Sequence, residues 1–293
     1  QFKGILALLG ATVIWGFAFI AQSVGMDLIG PFTFQMVRCL LAVVFLVPCS
    51  FLLDLGKSSP SESARKWKNP ALWKAGVLCG CALFVASSLQ QIGLVSTNPG
   101  KAGFITALYI VLVPVLGIFF KRKPRLIVWL GVFLAIVGLY FLCMTDSLRF
   151  SIGDSLVLMC ALVFSIHILI IDHFSPKVDG VRLSCIQFAV AGAISIVPAL
   201  VLEQPTWSAL VAAAAPILYA GVLSSGVAFT LQIIAQKDYD PTVASLLMSL
   251  ESVFSVLAGW VILGQSLTPR ELFGCALMFG AIILVQLPDR KKA

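Results

Sequence analysis

Residues 85–117 read VASSLQQIGLVSTNPGKAGFITALYIVLVPVLG, and residues 227–259 read VAFTLQIIAQKDYDPTVASLLMSLESVFSVLAG. The two stretches align without gaps at a constant offset of 142, and ten of the 33 pairs are identical. Matched apolar residues are common in a hydrophobic chain, whereas matched polar and helix-breaking residues are not. The identical pairs include three of this kind: Gln90/Gln232, Pro99/Pro241 and Gly117/Gly259. The chain therefore contains an internal repeat.

The composition is that of a membrane protein. Of the 293 residues, 60% are hydrophobic and 11% are charged, and the mean hydropathy is +1.03. A soluble domain needs a polar shell that this composition cannot supply. Runs of about 20 apolar residues, long enough to cross a hydrocarbon core of about 30 Å, recur along the whole chain. The lipid bilayer is thus the expected environment.

The cysteines and histidines indicate neither a disulfide framework nor a metal site. All eight cysteines lie in apolar stretches, and none forms a C-x-x-C pair. The two histidines are not spaced as zinc ligands. No P-loop or other phosphate-cradling motif is present. We expect no metal, no cofactor and no nucleotide hydrolysis.

Turn signals and charges divide the chain into ten apolar segments, numbered here in chain order. They lie near 4–24, 31–53, 71–93, 101–120, 125–144, 153–173, 182–202, 209–235, 242–263 and 269–287. Four proline signals mark helix starts: Gly30-Pro31, Asn98-Pro99-Gly100, Asp240-Pro241 and Thr268-Pro269. An open sheet would leave unpaired backbone groups in lipid, and barrel strands would alternate apolar and polar residues. The prediction is an all-α membrane protein with ten transmembrane helices.

Basic residues are distributed unevenly between the two sides of the predicted bundle. Sixteen of the 20 Lys and Arg residues lie on the side that holds the N-terminus. The other side holds only Lys101, Arg149 and Arg270, and Arg38 lies inside segment 2. Because positive loops stay in the cytoplasm, we expect both termini to be cytoplasmic. The net charge of +7 is accounted for by these loops and requires no nucleic-acid partner.

The two halves are predicted to be inverted relative to each other. We place them at 1–145 and 146–293, each with five segments, and an odd number reverses the direction of the second half. Segments 1 and 6 also match weakly, at an offset of 149, through Gly4/Gly153 and Leu9/Leu158. Two inverted five-helix repeats around a shared central site are typical of secondary transporters that work by alternating access.

The sequence motifs of the repeat resemble those of a known family. The stretches NPGKAGFIT at 98–106 and LYIVLVP at 108–114 resemble the fourth-helix pattern of EamA-type proteins, in the drug/metabolite transporter superfamily. PTVASLL at 241–247 and SLESVF at 249–254 resemble the ninth-helix pattern. The resemblance implies ten helices around a central cavity and export or exchange of small metabolites. Many relatives carry Pro where this chain has Ser252, so no proline-dependent kink is expected there.

Glu251 is the sharpest candidate for a substrate-binding residue. It lies about ten residues into segment 9, near mid-membrane at about 1.5 Å per residue, and burying its charge in lipid is costly. Its repeat partner is Tyr109, at a similar depth in segment 4. The hypothesis is that Glu251 binds a cationic group or carries a coupling proton. The alternative is a structural glutamate that is hydrogen-bonded within the bundle.

Arg38 is a candidate for polar support or gating. It lies in the outer third of segment 2, and its repeat neighbour Gln187 lies in the inner third of segment 7. A guanidinium pairs with a substrate carboxylate through two parallel hydrogen bonds. Alternatively, Arg38 forms an outer gate, or places its charged end at the interface and braces helices.

Five further residues complete the predicted site. Gln90 and Gln232 are matched in segments 3 and 8, where they suit either alternating gates or interhelical hydrogen bonds. Trp15 and Phe19 lie too deep for an interfacial belt and would wall a cavity for an apolar or cationic solute, or pack ordinarily. His167 would relay protons or bind substrate, or is a packing residue.

These features predict a secondary transporter rather than an enzyme. The cargo is a small-molecule substrate, an amino acid or a related compound moved outward, because a zwitterion suits both Glu251 and Arg38. The alternatives are uptake or exchange of a vitamin, nucleobase or quaternary amine, or, from another class, an intramembrane enzyme or receptor. Short loops suggest a bacterial inner membrane, although related folds also serve organelles. The oligomeric state, including a homodimer, is left open.

Overall fold

The computed structural model describes residues 2–55, 59–97, 99–122, 124–143, 151–264 and 268–286. These residues form helices and no strand. The α-helices are α1 Phe2–Met26, α2 Pro31–Leu52, α3 Pro60–Lys66, α4 Pro70–Leu94, α5 Pro99–Ala107, α6 Tyr109–Phe119, α7 Leu126–Cys143, α8 Ile152–Phe174, α9 Gly180–Pro198, α10 Trp207–Ala212, α11 Ala214–Leu218, α12 Phe229–Gln236, α13 Pro241–Met248, α14 Glu251–Leu263 and α15 Pro269–Gln286. Two π-helical segments, Ala199–Glu203 after α9 and Tyr219–Ala228 before α12, complete them.

Eight helical stretches in the described residues are long and apolar enough to cross a membrane. They are Lys3–Met26, Pro31–Leu52, Pro70–Leu94, Ala102–Phe119, Ile152–Phe174, Gly180–Glu203, Ala214–Gln236 and Pro241–Ile262. The predicted segments near 125–144 and 269–287 are helical but are not among the eight. The all-helical membrane fold is therefore confirmed, whereas the count of ten spans stays a prediction.

Proline sets several helix starts, as the sequence predicted. Helices begin at Pro31, Pro99, Pro241 and Pro269. Proline is favoured at the first helical position because the N–H that it lacks would have no partner within the helix there. Before α13, the carboxylate of Asp240 also accepts the N–H of the second helical residue at 2.9 Å. Local chemistry is sufficient for these boundaries.

Two helices are interrupted at equivalent points. The first helix, made of α5 and α6, is interrupted at Leu108. The second, made of α13 and α14, is interrupted between Met248 and Glu251. The sequence predicted no proline-dependent kink in the second helix, and the interruption has another origin. The hydroxyl of Ser249 donates to the carbonyl of Leu246 at 2.7 Å, and such bonds to the preceding turn bend helices. Each break places the following residue at the start of a new helix.

Close helix contacts depend on glycine. A side chain at Gly80 of α4 would lie 2.7 Å from the carbonyl oxygen of Gln187 in α9. In the same way, a side chain at Gly138 of α7 would lie 2.9 Å from the carbonyl oxygen of Gly274 in α15. These approaches bring backbones together in the way expected of small residues in membrane helices.

Acidic side chains tie α2 to α9 at both ends. After α2, Asp54 accepts a hydrogen bond from Arg182, in the first turn of α9, at 2.7 Å. After α9, Glu203 accepts the backbone N–H groups of Phe32 and Thr33, in the first turn of α2, at 2.8 and 2.6 Å. A carboxylate is favourable at a helix N-terminus, where N–H groups lack partners. The two ties hold the helices that carry Arg38 and Gln187.

Candidate functional site

A cavity lies where α1, α2, α4, α8 and α12 meet the two interrupted helices. Its empty space, including the part that is open to the outside, is about 630 Å³. Sixteen residues line it: Trp15, Phe19, Gln22, Arg38, Ser87, Gln90, Thr106, Tyr109, Phe164, His167, Ile168, Ser224, Phe229, Gln232, Met248 and Glu251. Aromatic and apolar side chains with a few convergent polar groups are the usual lining of a small-molecule site.

The cavity collects almost every residue that the sequence singled out. Eight of the nine candidates line it: Trp15, Phe19, Arg38, Gln90, Tyr109, His167, Gln232 and Glu251. The ninth, Gln187, is fully buried and does not reach the cavity, but its side chain contacts His167. The structure thus brings these residues together, and their roles in binding or gating stay predictions.

Tyr109 and Glu251 both line the cavity, and their side chains are hydrogen-bonded to each other. The hydroxyl of Tyr109 donates to Oε1 of Glu251 over 3.1 Å. Each is the first residue of the helix that follows a break. Glu251 therefore lies at an N-terminus where backbone N–H groups have no partner within the helix, which favours a carboxylate there. Among the described residues that line the cavity, it is the single carboxylate.

Arg38 is a buried cation whose hydrogen-bond partners are an amide and a hydroxyl group. It is 4% exposed, and its Nε and Nη2 donate to Oε1 of Gln35 at 3.0 Å and to Oγ of Ser87 at 3.2 Å. Within the described residues, no acidic group lies within ion-pairing distance of it. Arg182, by contrast, is equally buried but pairs with Asp54. Since a buried charge is costly unless it is paired, an anionic group in the cavity would be a favourable partner for Arg38.

His167 is held by a partner outside the cavity. Its Nε2 lies 3.0 Å from Oε1 of Gln187 in α9. Phe164, one turn earlier in α8, and Phe229 of α12 surround the ring, at centroid distances of 6.4 and 6.2 Å. The orientation of this histidine therefore depends on three helices.

The aromatic wall joins α1 to the second π-helical segment and α12. The Trp15 and Phe229 rings make an edge-to-face contact with centroids 4.9 Å apart. The indole N–H of Trp15 donates to the carbonyl of Ser224 at 3.4 Å. π-Helical insertions are frequent at functional sites, and here the insertion supplies a cavity residue. Both aromatic rings can face a cationic or an apolar solute.

The matched glutamines make different contacts. Gln90 of α4 donates to the hydroxyl of Thr106 in α5 at 3.2 Å, which is an interhelical bond. Gln232 donates to Gln236, one turn further along α12, at 2.9 Å. Gln236 in turn donates to the carbonyl of Ile168 in α8 at 3.3 Å. Gln90 thus joins two helices directly, whereas Gln232 is connected to α8 only through Gln236.

The comparison with known families accounts for this architecture. The model of the EamA-like transporter family matches residues 2–144 and, a second time, residues 151–287. The chain belongs to the EamA-like transporter family. It is a membrane transporter with multiple membrane-spanning helices, and the resemblance seen in its motifs is confirmed.

Similar proteins carry transporter names. This EamA-like protein is 32% identical over 289 residues to an "uncharacterized transporter" of Archaeoglobus fulgidus, across 96% of this chain and 85% of the relative. It is 23% identical over 303 residues to the "uncharacterized inner membrane transporter YedA" of Escherichia coli K12, across 98% and 93% of the two chains. A protein of known crystal structure superposes with a TM-score of 0.82 at 17% identity, over 98% of this chain and 97% of that one. That likeness shows a shared fold.

Sequence reasoning missed eight lining residues, and the repeat carried a usable signal for two of them. The missed residues are Gln22, Ser87, Thr106, Phe164, Ile168, Ser224, Phe229 and Met248. At an offset of 142, Ser87 matches Phe229 and Thr106 matches Met248. At the offset of 149 that relates segments 1 and 6, two candidates match missed residues: Trp15/Phe164 and Phe19/Ile168. Extending every candidate through its repeat partner would have found two of the eight, Phe164 and Ile168, because both members of the other two pairs were missed.

No metal site is evident in the part of the EamA-like chain that the structure describes. Groups of three or more His, Cys, Asp or Glu side chains that could hold an ion are absent from those residues. The polar groups of the cavity are a carboxylate, a guanidinium, an imidazole, amides and hydroxyls. This set suits hydrogen bonding and ion pairing with a solute.

Proposed function

We propose that this EamA-like protein is a secondary transporter that exposes its cavity to each side of the membrane in turn. Ten transmembrane helices would form two inverted five-helix repeats, 1–145 and 146–293. Three observations support the repeat: the family model matches twice, both interrupted helices begin at positions 142 apart, and repeat partners line the same cavity. Inverted repeats that meet at a central site suit alternating access.

The proposed cargo is a small zwitterion, an amino acid or a related compound, moved outward. The observation that carries this proposal is the presence in one cavity of Glu251 and of Arg38, for which the described residues supply no carboxylate partner. A carboxylate of the solute would bind the guanidinium, and its cationic end would face Glu251. The aromatic walls from Trp15 and Phe19 would contact the carbon skeleton.

Glu251 is also the proposed coupling residue. A solute cation and a proton would compete for the same carboxylate, so release of one would accompany binding of the other. Exchange of one solute for another through the same site needs no proton. Transport measured with and without an imposed proton gradient separates the two modes.

We propose that both termini lie in the cytoplasm of a bacterial cell, with the protein in the inner membrane. The excess of basic residues in the loops on the N-terminal side supports this orientation. The printed name of the Escherichia coli relative places that protein in the inner membrane. Single accessible cysteines introduced at Ser61 and Thr206 would report opposite sides of the membrane.

A quaternary amine is the second candidate cargo. The aromatic rings of Trp15, Phe19 and Phe229 line the cavity together with Glu251, and such rings attract quaternary ammonium groups through cation–π contacts. This candidate leaves Arg38 without a role in binding unless the solute also carries a carboxylate.

Reconstituted transport is the direct test. Liposomes that contain the purified protein are loaded with labelled amino acids, amines, nucleosides and vitamins. They should release the amino acids faster than protein-free liposomes with the same load do. Glu251→Gln should abolish this efflux. Glu62→Gln is the matched control, because Glu62 lies in an exposed capping box outside the cavity and glutamine also serves in that box. Release of none of these solutes would refute the proposal.

A further inference from the structure

Three residues that line the cavity carry buried acceptor atoms that have no hydrogen-bond partner within the described part of the chain. They are Oε1 of Gln22, Nδ1 of His167 and Oε1 of Gln232. The residues are 7%, 1% and 2% exposed. A buried polar atom without a partner is unfavourable until a donor reaches it, and most buried polar atoms have a partner. A solute with N–H donors in the cavity could supply the missing partners of these three atoms.

The role of His167 as an acceptor follows from its partner. Nε2 faces the amide oxygen of Gln187, 3.0 Å away. An amide oxygen can only accept, so Nε2 carries the proton in the neutral ring, and Nδ1 presents a lone pair. Gln187 thus acts as a positioning residue that engages Nε2 and leaves Nδ1 of His167, a residue of the cavity lining, as an acceptor.

The residues that carry these acceptors come from different helices. Gln22 lies in α1, His167 in α8 and Gln232 in α12, and the carboxylate of Glu251 in α14 adds a fourth acceptor group. The long polar side chains turn about their terminal torsions at little cost. A solute that donates several N–H bonds would satisfy them together.

Charge alone would not allow the cavity to discriminate between primary and quaternary ammonium groups. Glu251 and the aromatic rings attract a primary and a quaternary ammonium group alike. A primary ammonium has three N–H donors and a guanidinium has five, whereas a quaternary ammonium has none. The unpartnered acceptors are the feature of this cavity that distinguishes them.

We propose that the cavity selects solutes whose cationic end carries N–H donors, a primary ammonium or guanidinium group, over quaternary ammonium solutes of the same charge. This inference rests on the proposed function, because it takes the cavity as the transport site. Gln22, His167 and Gln232 are the specificity-determining residues, and Gln187 positions His167.

Matched ligand pairs test the proposal on the full-length protein. Binding of each protein amino acid and of its N-trimethyl derivative is measured by calorimetry and by thermal shift. Both members of a pair keep the carboxylate and the positive charge. For every amino acid that binds, we expect the N-trimethyl form to bind about tenfold or more weakly, since hydrogen bonds to charged groups are lost.

Variants connect the preference to the named residues. His167→Phe, Gln22→Leu and Gln232→Leu should each reduce the ratio of the affinity for the amino acid to the affinity for its N-trimethyl form. If one of these variants fails to fold, the other two still test the proposal. Gln187→Leu should reduce the ratio less, because the acceptor is misplaced rather than removed. His173→Phe is the matched control, since His173 is exposed near the end of α8, and its ratio should equal that of the wild type.

The outcomes are distinguishable from those of the proposed function. Equal affinities for both members of the pairs would overturn this inference and leave amino-acid transport intact. A preference that persists unchanged in all three cavity variants would also overturn it. If no zwitterion binds and none is transported, the proposed function fails and this inference fails with it.

Discussion

Tyr109 and Glu251 are hydrogen-bonded to each other, and they are repeat partners. The hydroxyl of Tyr109 lies 3.1 Å from Oε1 of Glu251, and the residues are 142 positions apart in the sequence, the offset of the internal repeat. Each opens the second part of an interrupted helix. The bond therefore connects the two interruptions directly, and a motion of one half relative to the other would change it.

Removing the Tyr109 hydroxyl should impair transport with little loss of folding. Tyr109→Phe keeps the ring in place but leaves Oε1 of Glu251 without this donor. A hydrogen bond to a charged group contributes about 1.5–3 kcal/mol, so we expect transport to fall about tenfold or more. Efflux from liposomes measures the change.

Tyr140→Phe is the control for that substitution. Tyr140 lies in α7 and is 41% exposed, outside the cavity. It should transport at the wild-type rate. Normal transport by Tyr109→Phe would show that the bond to Glu251 has no part in the cycle.

Replacing Arg38 by lysine should weaken binding of carboxylates. Lysine keeps the charge but lacks the planar fork that bonds Gln35, Ser87 and a carboxylate at once. We expect the affinity for an amino acid to fall about tenfold or more, while the affinity for its amide, which lacks the carboxylate, changes little. Calorimetry with both ligands gives the comparison.

An equal loss for the amino acid and its amide would contradict a carboxylate subsite at Arg38 and favour a gating role. Lys177→Arg is a suitable control, because it exchanges the same two cations on the surface, near the end of α8, outside the cavity. Its affinities should match those of the wild type.

A methyl group at Gly16 should force α1 away from α14. The new Cβ would lie 2.7 Å from the carbonyl carbon of Phe254 and 2.8 Å from the nitrogen of Ser255, and backbone cannot give way as a flexible side chain does. Overpacking costs about 1–3 kcal/mol. Gly16→Ala should therefore lower the unfolding temperature in detergent.

Gly280→Ala is the matched comparison within α15. No atom lies within 4 Å of the position that its Cβ would take, and alanine favours a helix over glycine by about 1 kcal/mol. Its unfolding temperature should stay the same or rise. A tolerant Gly16→Ala would mean that α1 and α14 pack less closely than the structure has them.

The stabilisation that Asp54 provides between α2 and α9 should depend on pH. Hydrogen bonds from Lys66, Ser63 and Arg182 lower the pKa of Asp54 below its ordinary value. The ionised carboxylate therefore stabilises the fold above the unfolded pKa of about 3.9, and this contribution is lost as the pH falls below that value. Asp54→Asn should lower stability at pH 7 and matter progressively less toward pH 3.

Unfolding temperatures of wild type and Asp54→Asn across this pH range provide the measurement. Asp238→Asn makes the same change at an exposed position and should have little effect at any pH. If the difference in unfolding temperature between wild type and Asp54→Asn stays constant with pH, the charge of Asp54 does not contribute to stability.

Much of this fold and site is readable from local chemistry and from the repeat. Helices start at Pro99 and Pro241 because proline is tolerated where no partner for an N–H exists, and this depends on neighbouring residues alone. The pairing of Tyr109 with Glu251 follows from their equal positions in the two repeats. Hydrophobicity alone was sufficient to place the chain in a membrane.

Other features arise from contacts between helices that are far apart in the chain. The sequence could not reveal that Arg38 has Gln35 and Ser87 as partners, or that Gln187 lies behind His167 rather than in the cavity. It also predicted no proline kink at Ser252, and the helix is nevertheless interrupted, beside the Ser249 hydroxyl. Amphipathic patterns and helix starts are short-range properties of a chain, whereas the partner that a buried polar group finds depends on how whole helices pack.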